Sequence, residues 1–431
     1  MRFVRAAERH ALGCKARSGA MAAMQILFVH QNFPAQYQHV VPALSARGHQ
    51  VRALTDAGNG KPEIVPTERY VNPPNPQSAT PPLAQHFAMH TARGLIVAQR
   101  AQAMKAAGYM PDVICAHLGW GESLFLKDIW PAAKLLVHAE FFYQPEGADL
   151  GFDPEIYPST LNARMSVRAR QASLLMSMTS ADRGQTPTRW QADVFPPELQ
   201  RKITVVHEGI DTSLCVPDAN AVIQLKNGAV TLRPGDEVIT FINRNLEPYR
   251  GYHIFMRALP KILAARPRAR VIIVGGDEVS YGNAPDPKLG PNWREIFFRE
   301  VQGRMDLSRV HFVGKIPYAT FVQLMQVSAV HPYLSYPFVL SWSMLEAMSC
   351  GALVIGSKTQ PVEEVITDGE NGLLVDFFDV DGWSKAVVDA LAHPARYKAI
   401  RTAARRSIVE RYDLKAICLP QQVALVEGML G

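Results

Sequence analysis

The sequence predicts an α/β protein built from two doubly wound domains that face each other across a cleft. Three observations carry that expectation. Near-continuous apolar runs of strand length, such as Met24-Gln-Ile-Leu-Phe-Val-His30, read as strands buried on both faces, as in a parallel sheet. Helical stretches alternate with these runs. The alternation occurs twice, with a change of composition at about 212–236 between the two series. A chain of 431 residues suits two or three domains at roughly 150 residues each.

The first series opens with the strand at 24–30 and the polar loop Gln31-Asn-Phe-Pro34. A helical stretch runs to Arg47 and is closed by Gly48, and a second strand covers 50–54. Residues 58–85, rich in Pro, Asn and Thr, read as a surface loop. Strands follow at 112–115 and 135–138, each ending in a polar loop: His117-Leu-Gly-Trp-Gly-Glu122 and Ala139-Glu-Phe-Phe-Tyr143. A helix bearing Arg164, Arg168 and Arg170 spans 160–182, and a strand covers 203–207. The Asn-Gly within 225–232 is a hairpin signal. The second series has strands at 238–243, 270–274, 310–313, 329–331 and 353–355. Its helices are expected at 251–266, 382–392, 395–411 and 414–429. The resulting division is 24–212 for a first Rossmann-like domain and 213–410 for a second. Residues 411–431 form a last helix expected to pack back on the first domain.

Composition excludes several classes. Hydrophobic residues make up 48% and charged residues 19%, ordinary for a chain with a large core. No apolar run approaches the about 20 residues that span a bilayer. Net charge is +6, but residues 1–23 hold five basic side chains against one acid, so +4 of it sits there. The remainder has no dense basic stripe and therefore no nucleic-acid footprint. Residues 1–23 lack the apolar core of a secretory signal and read as a disordered extension or an upstream start, with Met21 or Met24 as alternatives. The five scattered cysteines (Cys14, Cys115, Cys215, Cys350 and Cys418) form no CxxC pair and fit a reducing cytoplasm.

The densest chemical signal runs from His331 to Val375. A strand ends at His331, a loop follows, and a helix starts near Ser341 or Trp342. A helix N-terminus offers unpaired N–H groups and partial positive charge, which suits a phosphate. Glu346, about one turn in, is placed to accept two hydrogen bonds from a ribose diol; it equally suits a helix's first turns for structural reasons alone. A second constellation is Asn243-Arg-Asn-Leu-Glu-Pro-Tyr-Arg-Gly251, between a strand and a helix. Arg244 and Arg250 flank its turn and can clamp a pyrophosphate, or they are two surface arginines.

These stretches resemble the donor-site segments of the retaining glycosyltransferases of family 4, which have the GT-B fold. Leu345-Glu-Ala-Met-Ser-Cys-Gly351 is similar to their LEAMACG, and Glu364 with Asp368-Gly-Glu-Asn-Gly-Leu-Leu-Val375 to their PEIVxDGxxGxLV. The resemblance makes Glu346 the ribose-binding second glutamate of the E-x7-E signature. The first glutamate of that signature falls on Phe338, so the donor-sugar contacts depart from the family's, and Ser341 and Ser343 stand as alternative hydroxyls. Asn243–Gly251 is similar to GRLxxxKG, with Arg244 as its Arg and Arg250 one place beyond its Lys. His207-Glu-Gly-Ile-Asp-Thr212 is similar to NGVDxxxF and reads as a hinge. On the acceptor side, His138 matches a histidine near the donor sugar in the family, or is a satisfied core residue. His117 with Gly119, Gly121 and Glu122 forms a glycine-rich loop assigned to the acceptor, and the first loop lacks the family's two glycines.

The resemblance implies sugar transfer with retention from a nucleotide-diphosphate sugar to an acceptor hydroxyl of a glycan or lipid-linked acceptor. It implies no resident cofactor and no metal; the donor is a co-substrate. The expected location is the cytoplasm, with the inner membrane face compatible with lipid-linked acceptors. No GxxxxGK[ST] loop, GxGxxG after Val29 or GxSxG elbow occurs. Asp379-Val-Asp381, the only Asp-x-Asp, precedes a helix and reads as its cap. The competing readings are a GT-B epimerase or phosphorylase, and a degenerate nucleotide-sugar binder suggested by Phe338.

Overall fold

A computed structural model describes residues 22–73, 80–225 and 228–431. The expected extension at 1–23 lies outside the described residues up to residue 21, as does the Lys226-Asn227 part of the hairpin turn.

The first domain is one seven-stranded sheet. Its strands are β1 (Gln25–Val29), β2 (Gln50–Asp56), β3 (Thr67–Tyr70), β4 (Val113–His117), β5 (Lys134–His138), β6 (Arg183–Thr186) and β7 (Ile203–Val205). They lie in the order β3-β2-β1-β4-β5-β6-β7, every pair parallel. Burial on both faces explains the unbroken apolar runs: Ile26, Leu27, Phe28 and Val29 are all fully buried. The strand β3 falls inside the stretch expected to be loop. Its sequence Thr-Glu-Arg-Tyr is polar because it forms the sheet's edge, pairing among the described residues only with β2.

A short antiparallel hairpin follows, β8 (Ile223–Leu225) with β9 (Val230–Leu232), as the Asn-Gly signal implied. The second sheet has β10 (Val238–Asn245), β11 (Arg270–Gly276), β12 (Val310–Gly314), β13 (Val330–Tyr333), β14 (Leu353–Ser357) and β15 (Leu373–Val375). Its order is β12-β11-β10-β13-β14-β15, again all parallel. Strand order reverses between β1 and β4 in the first sheet and between β10 and β13 in the second. Loops at such reversals leave a crevice at the strands' carboxyl ends, where ligands bind in doubly wound folds. The loops placed there begin at His30, Leu118, Leu246 and Leu334.

Two features tie the domains together. The helix Leu419–Glu427 lies against the first domain: Val423 and Val426 share a core with Phe28 and Val41, and Glu427 pairs with Arg47 at 2.6 Å. The segment after β5 crosses to the second domain. Asp149 accepts a 2.8 Å hydrogen bond from the Tyr249 hydroxyl, Asp153 lies 3.0 Å from His253, and Phe152 packs on Tyr336 and Phe377. Asp379 caps the helix Val380–Ala392 by accepting the Gly382 N–H, as the sequence implied. Among the described residues no helix is long and apolar enough to cross a membrane.

Candidate active site

On the second domain, the loop after β13 leads into the helix Trp342–Ser349. Ser341 is its N-cap: the hydroxyl accepts the Ser343 N–H at 3.4 Å, while the Ser341 N–H donates to the Tyr333 hydroxyl at 2.8 Å. Ser343 shares a 2.9 Å hydroxyl contact with Ser341. Glu346, one turn on, is 7% exposed, and its Oε1 accepts a 2.7 Å hydrogen bond from Tyr318. Burial pushes its carboxyl up to about 7, with the Tyr318 hydroxyl a weaker opposing influence. Leu345 does not share this position. Its side chain is fully buried in the core with Val354 and Met348, so it supports the helix from behind rather than contacting a donor.

The two arginines separate. Arg244, at the end of β10, is exposed. It faces the first domain closely enough that, after burial, its charge is the next influence lowering the Lys61 ammonium. Lys61 is itself tied to the first crevice loop by a 3.1 Å bond to the Asn32 carbonyl. Arg250 is not a second exposed arm of a clamp. It is 3% exposed and donates to Ser335 Oγ at 2.7 Å and the Val339 carbonyl at 2.8 Å. Its guanidinium lies 5.0 Å from the Tyr281 ring centre and 6.0 Å from that of Phe338. The turn dictates this: Gly251 has φ +64°, and a Cβ there would stand 2.2 Å from Leu334. Arg250 therefore buttresses the loop after β13.

Phe338, where the resemblance expects a glutamate, is 4% exposed in an aromatic cluster that bridges the domains. Its ring centre lies 4.8 Å from Phe141 of the first domain, 5.4 Å from Tyr249 and 5.1 Å from Tyr281. A carboxylate could not be accommodated there without a partner. Glu364 also departs from the donor role implied for it. Its two oxygens accept the N–H groups of Arg189 and Trp190 at 2.7 and 2.8 Å, capping the helix Arg189–Asp193 of the first domain.

On the first domain, strand ends gather imidazoles. His30 and His117 lie edge to face at 5.4 Å, and His117 lies 5.3 Å from His138. The Gly119 N–H donates to His117 Nδ1 at 2.9 Å, which places the ring proton on Nε2, 3.5 Å from Glu140. His30 is held the same way by the Asn32 N–H at 2.9 Å. Burial, then His117, keeps His138 neutral, its pKa lowered to about 3. Burial opposes ionisation of Glu140, but the His117 hydrogen bond together with the charges of His117, His138 and His30 outweighs it and the pKa falls to about 2. The ligand atoms of His117, His138 and Glu140 all lie within 4.8 Å of one another. That spacing would suit a metal, but a His117 Nε2 that carries a proton donates to Glu140 and offers no lone pair.

The remaining loop residues serve the loop itself. Gly121 has φ +89°, and a Cβ would stand 2.3 Å from the His90 carbonyl oxygen. Glu122 is fully buried and accepts a 2.5 Å hydrogen bond from Tyr70; burial raises its carboxyl above the usual range. It lies beneath the loop instead of facing an acceptor.

Sequence reasoning missed Tyr318, Lys61, His30 and Glu208. Glu208, in the hinge, is 6% exposed; its oxygens lie 3.6 Å from His138 Nε2 and 4.0 Å from His207 Nε2, and accept the Trp342 indole N–H at 3.3 Å. The signal for it was a carboxylate standing where the similar NGVD motif has an asparagine. Nothing local marks Tyr318, which reaches Glu346 across 28 residues.

Two parallel-sheet domains whose switch-point loops face one cleft define a GT-B architecture. Comparison with known proteins agrees. Residues 47–215 match the profile of the glycosyl transferase family 4 group, and residues 224–407 that of the glycosyl transferases group 1. Both profiles are those of glycosyltransferases, one on each domain. A D-inositol 3-phosphate glycosyltransferase of Mycobacterium sp. (strain KMS) is 28% identical over 307 residues, 68% of this chain and 62% of that protein. One from Rhodococcus jostii (strain RHA1) is 26% identical over 239 residues, 55% of this chain and 48% of the relative. The chain thus spans about half to three fifths of the length of these relatives. Anabaena HepE in complex with UDP-glucose superposes with TM-score 0.63 at 18% identity, covering 93% of this chain and 98% of that one. The sucrose-phosphate synthase of Thermosynechococcus elongatus gives TM-score 0.69 at 18% identity, covering 94% and 99%. These superpositions establish the fold.

Proposed function

We propose that the protein transfers a sugar, with retention, from a nucleotide-diphosphate sugar to an acceptor hydroxyl in polysaccharide or glycoconjugate synthesis. The observation that carries this is Glu346, a buried carboxyl with one hydroxyl partner, set one turn inside a helix whose N-terminus stands at the switch point. In this reading Glu346 accepts the ribose diol, and Arg244, with the partial positive charge of the helix N-terminus, takes the diphosphate. Charge develops on the leaving diphosphate as its bond to the anomeric carbon breaks, so a cation there lowers the barrier. Arg250 contributes indirectly, by holding the loop after β13 in place.

His138, His117 and His30 bring N–H donors and Glu140 a carboxylate to the first domain's side, where the acceptor and the sugar hydroxyls would lie. The donor is the co-substrate, and no resident cofactor or metal takes part. A glycan or lipid-linked acceptor fits the family, and an inositol phosphate is one candidate, by analogy with the named relatives. Phe338 favours a second reading, a binder that no longer turns over, because it removes the family's sugar-contacting acid. A thermal-shift screen of nucleotide sugars tests the donor claim, since a ligand that binds only the folded state raises the melting temperature. No shift with any uridine, guanosine or adenosine diphosphate sugar would overturn it.

A further inference from the structure

Glu208 stands where three parts of the molecule meet. It follows β7 at the end of the first domain, its backbone carbonyl accepts a 3.0 Å bond from Gln422 of the helix packed back from the C-terminus, and its side chain reaches both halves of the cleft. One oxygen takes the indole N–H of Trp342, the first residue of the helix that carries Glu346, at 3.3 Å. The other lies 3.6 Å from Nε2 of His138, at the end of β5. His207 is oriented towards it as well: the Gly209 N–H donates to His207 Nδ1 at 2.9 Å, so the proton on Nε2 points at the Glu208 carboxylate, 4.0 Å away.

We propose that Glu208 is a positioning residue: its carboxylate is a strut between the Trp342 indole and the His138 imidazole that sets the donor helix at a fixed place relative to the first domain's side of the cleft. The inference rests on the glycosyl-transfer reading. Among the described residues no lysine or arginine pairs with this buried acid; the titratable groups around it are His138, His207, Tyr37, Cys418 and, further off, Glu140. Burial, chiefly, raises its carboxyl to about 7, with the Trp342 bond opposing. A buried acid without a cation is a cost to folding, and a precise hydrogen bond across a domain boundary is what such a cost can serve.

A strut acts on turnover more than on nucleotide binding. The Glu346 and Arg244 contacts belong to the second domain alone, whereas transfer needs both halves in register. The test compares Glu208→Ala, Glu208→Gln, Trp342→Phe and the double variant Glu208→Ala/Trp342→Phe. Binding of UDP, GDP and ADP is read by calorimetry, and release of nucleoside diphosphate from UDP-glucose, GDP-mannose and ADP-glucose by turnover. Glu208→Ala and Trp342→Phe each lower kcat about tenfold and change nucleoside-diphosphate Kd by less than about twofold. The double variant falls no further, and Glu208→Gln, which keeps an oxygen for the indole, recovers most of the loss. Losses that multiply in the double variant, a kcat equal to wild type in Glu208→Ala, or a Kd that worsens in step with kcat would each overturn the strut. If the wild-type protein binds none of the three nucleotides, the glycosyl-transfer reading fails; if it binds and turns over while the cycle is additive, only the Glu208 inference fails.

Discussion

Replacing Glu346 with glutamine isolates the ribose contact, because the amide keeps the shape and the Tyr318 bond but carries no charge. A hydrogen bond to a charged acceptor contributes about 1.5–3 kcal/mol, and a factor of ten in affinity is about 1.4 kcal/mol. Glu346→Gln should therefore weaken UDP-glucose binding at least about tenfold. The pH dependence is a sharper sign of the same contact. Burial raises the Glu346 carboxyl to about 7, and the ionised form is the one that accepts both ribose hydroxyls. About a tenth of the groups are ionised one pH unit below that value and about nine tenths one unit above. Wild-type affinity should accordingly rise about tenfold from about pH 6 to about pH 8, with proton release on binding in between, while the glutamine variant stays flat. Titration calorimetry in two buffers of different ionisation enthalpy measures both quantities. A wild-type affinity independent of pH, or a Glu346→Gln variant that binds as well as wild type, would refute the reasoning.

Other perturbations follow from the geometry. Glu208→Gln removes a carboxyl whose pKa is higher in the folded than in the unfolded state. Such an acid favours folding below its unfolded value of about 4.5, and that contribution is lost as pH rises through about 7, at a cost of about 3 kcal/mol at most. The variant should match wild type in denaturant titrations near about pH 4.5 and exceed it at about pH 8; a difference independent of pH would contradict this. Phe338→Ala opens a cavity between the domains at Phe141, Tyr249 and Tyr281, and should cost about 3–5 kcal/mol in unfolding free energy. Glu364→Ala uncaps the helix Arg189–Asp193 across the domain boundary and should cost about 1–2 kcal/mol, with nucleotide binding retained; a large loss of donor affinity would restore the donor role to Glu364.

The fold was legible because a parallel sheet imposes its burial on sequence. Strands such as β1 and β10 are covered on both faces, so Ile26–Val29 reads as apolar without interruption and Val238–Ile242 as apolar but for the buried Thr240. The edge strand β3 escaped because one flank meets no partner and its residues are Thr, Glu, Arg and Tyr. The helix start at Ser341 and the place of Glu346 were legible from spacing. The fates of Arg250, Leu345, Glu364 and Glu122 were not. Whether an arginine turns out or in depends here on Tyr281 and Phe338, rings that its own loop does not contain. The Glu364 carboxylate is taken by amides 174 and 175 residues away, and Glu208 is defined by Trp342, 134 residues on. Such contacts are set by how the two sheets face each other, which local patterning does not encode.

The central claim is that the second domain holds a nucleotide-diphosphate sugar and that Arg244 stabilises its departing diphosphate. Release of UDP from UDP-glucose, or GDP from GDP-mannose, by wild type and Arg244→Ala measures it directly. We expect release by the wild-type protein from at least one donor and a loss of about a hundredfold or more in the variant, as for other removed charge-stabilising donors. Binding without any release, or release that survives Arg244→Ala intact, would contradict it.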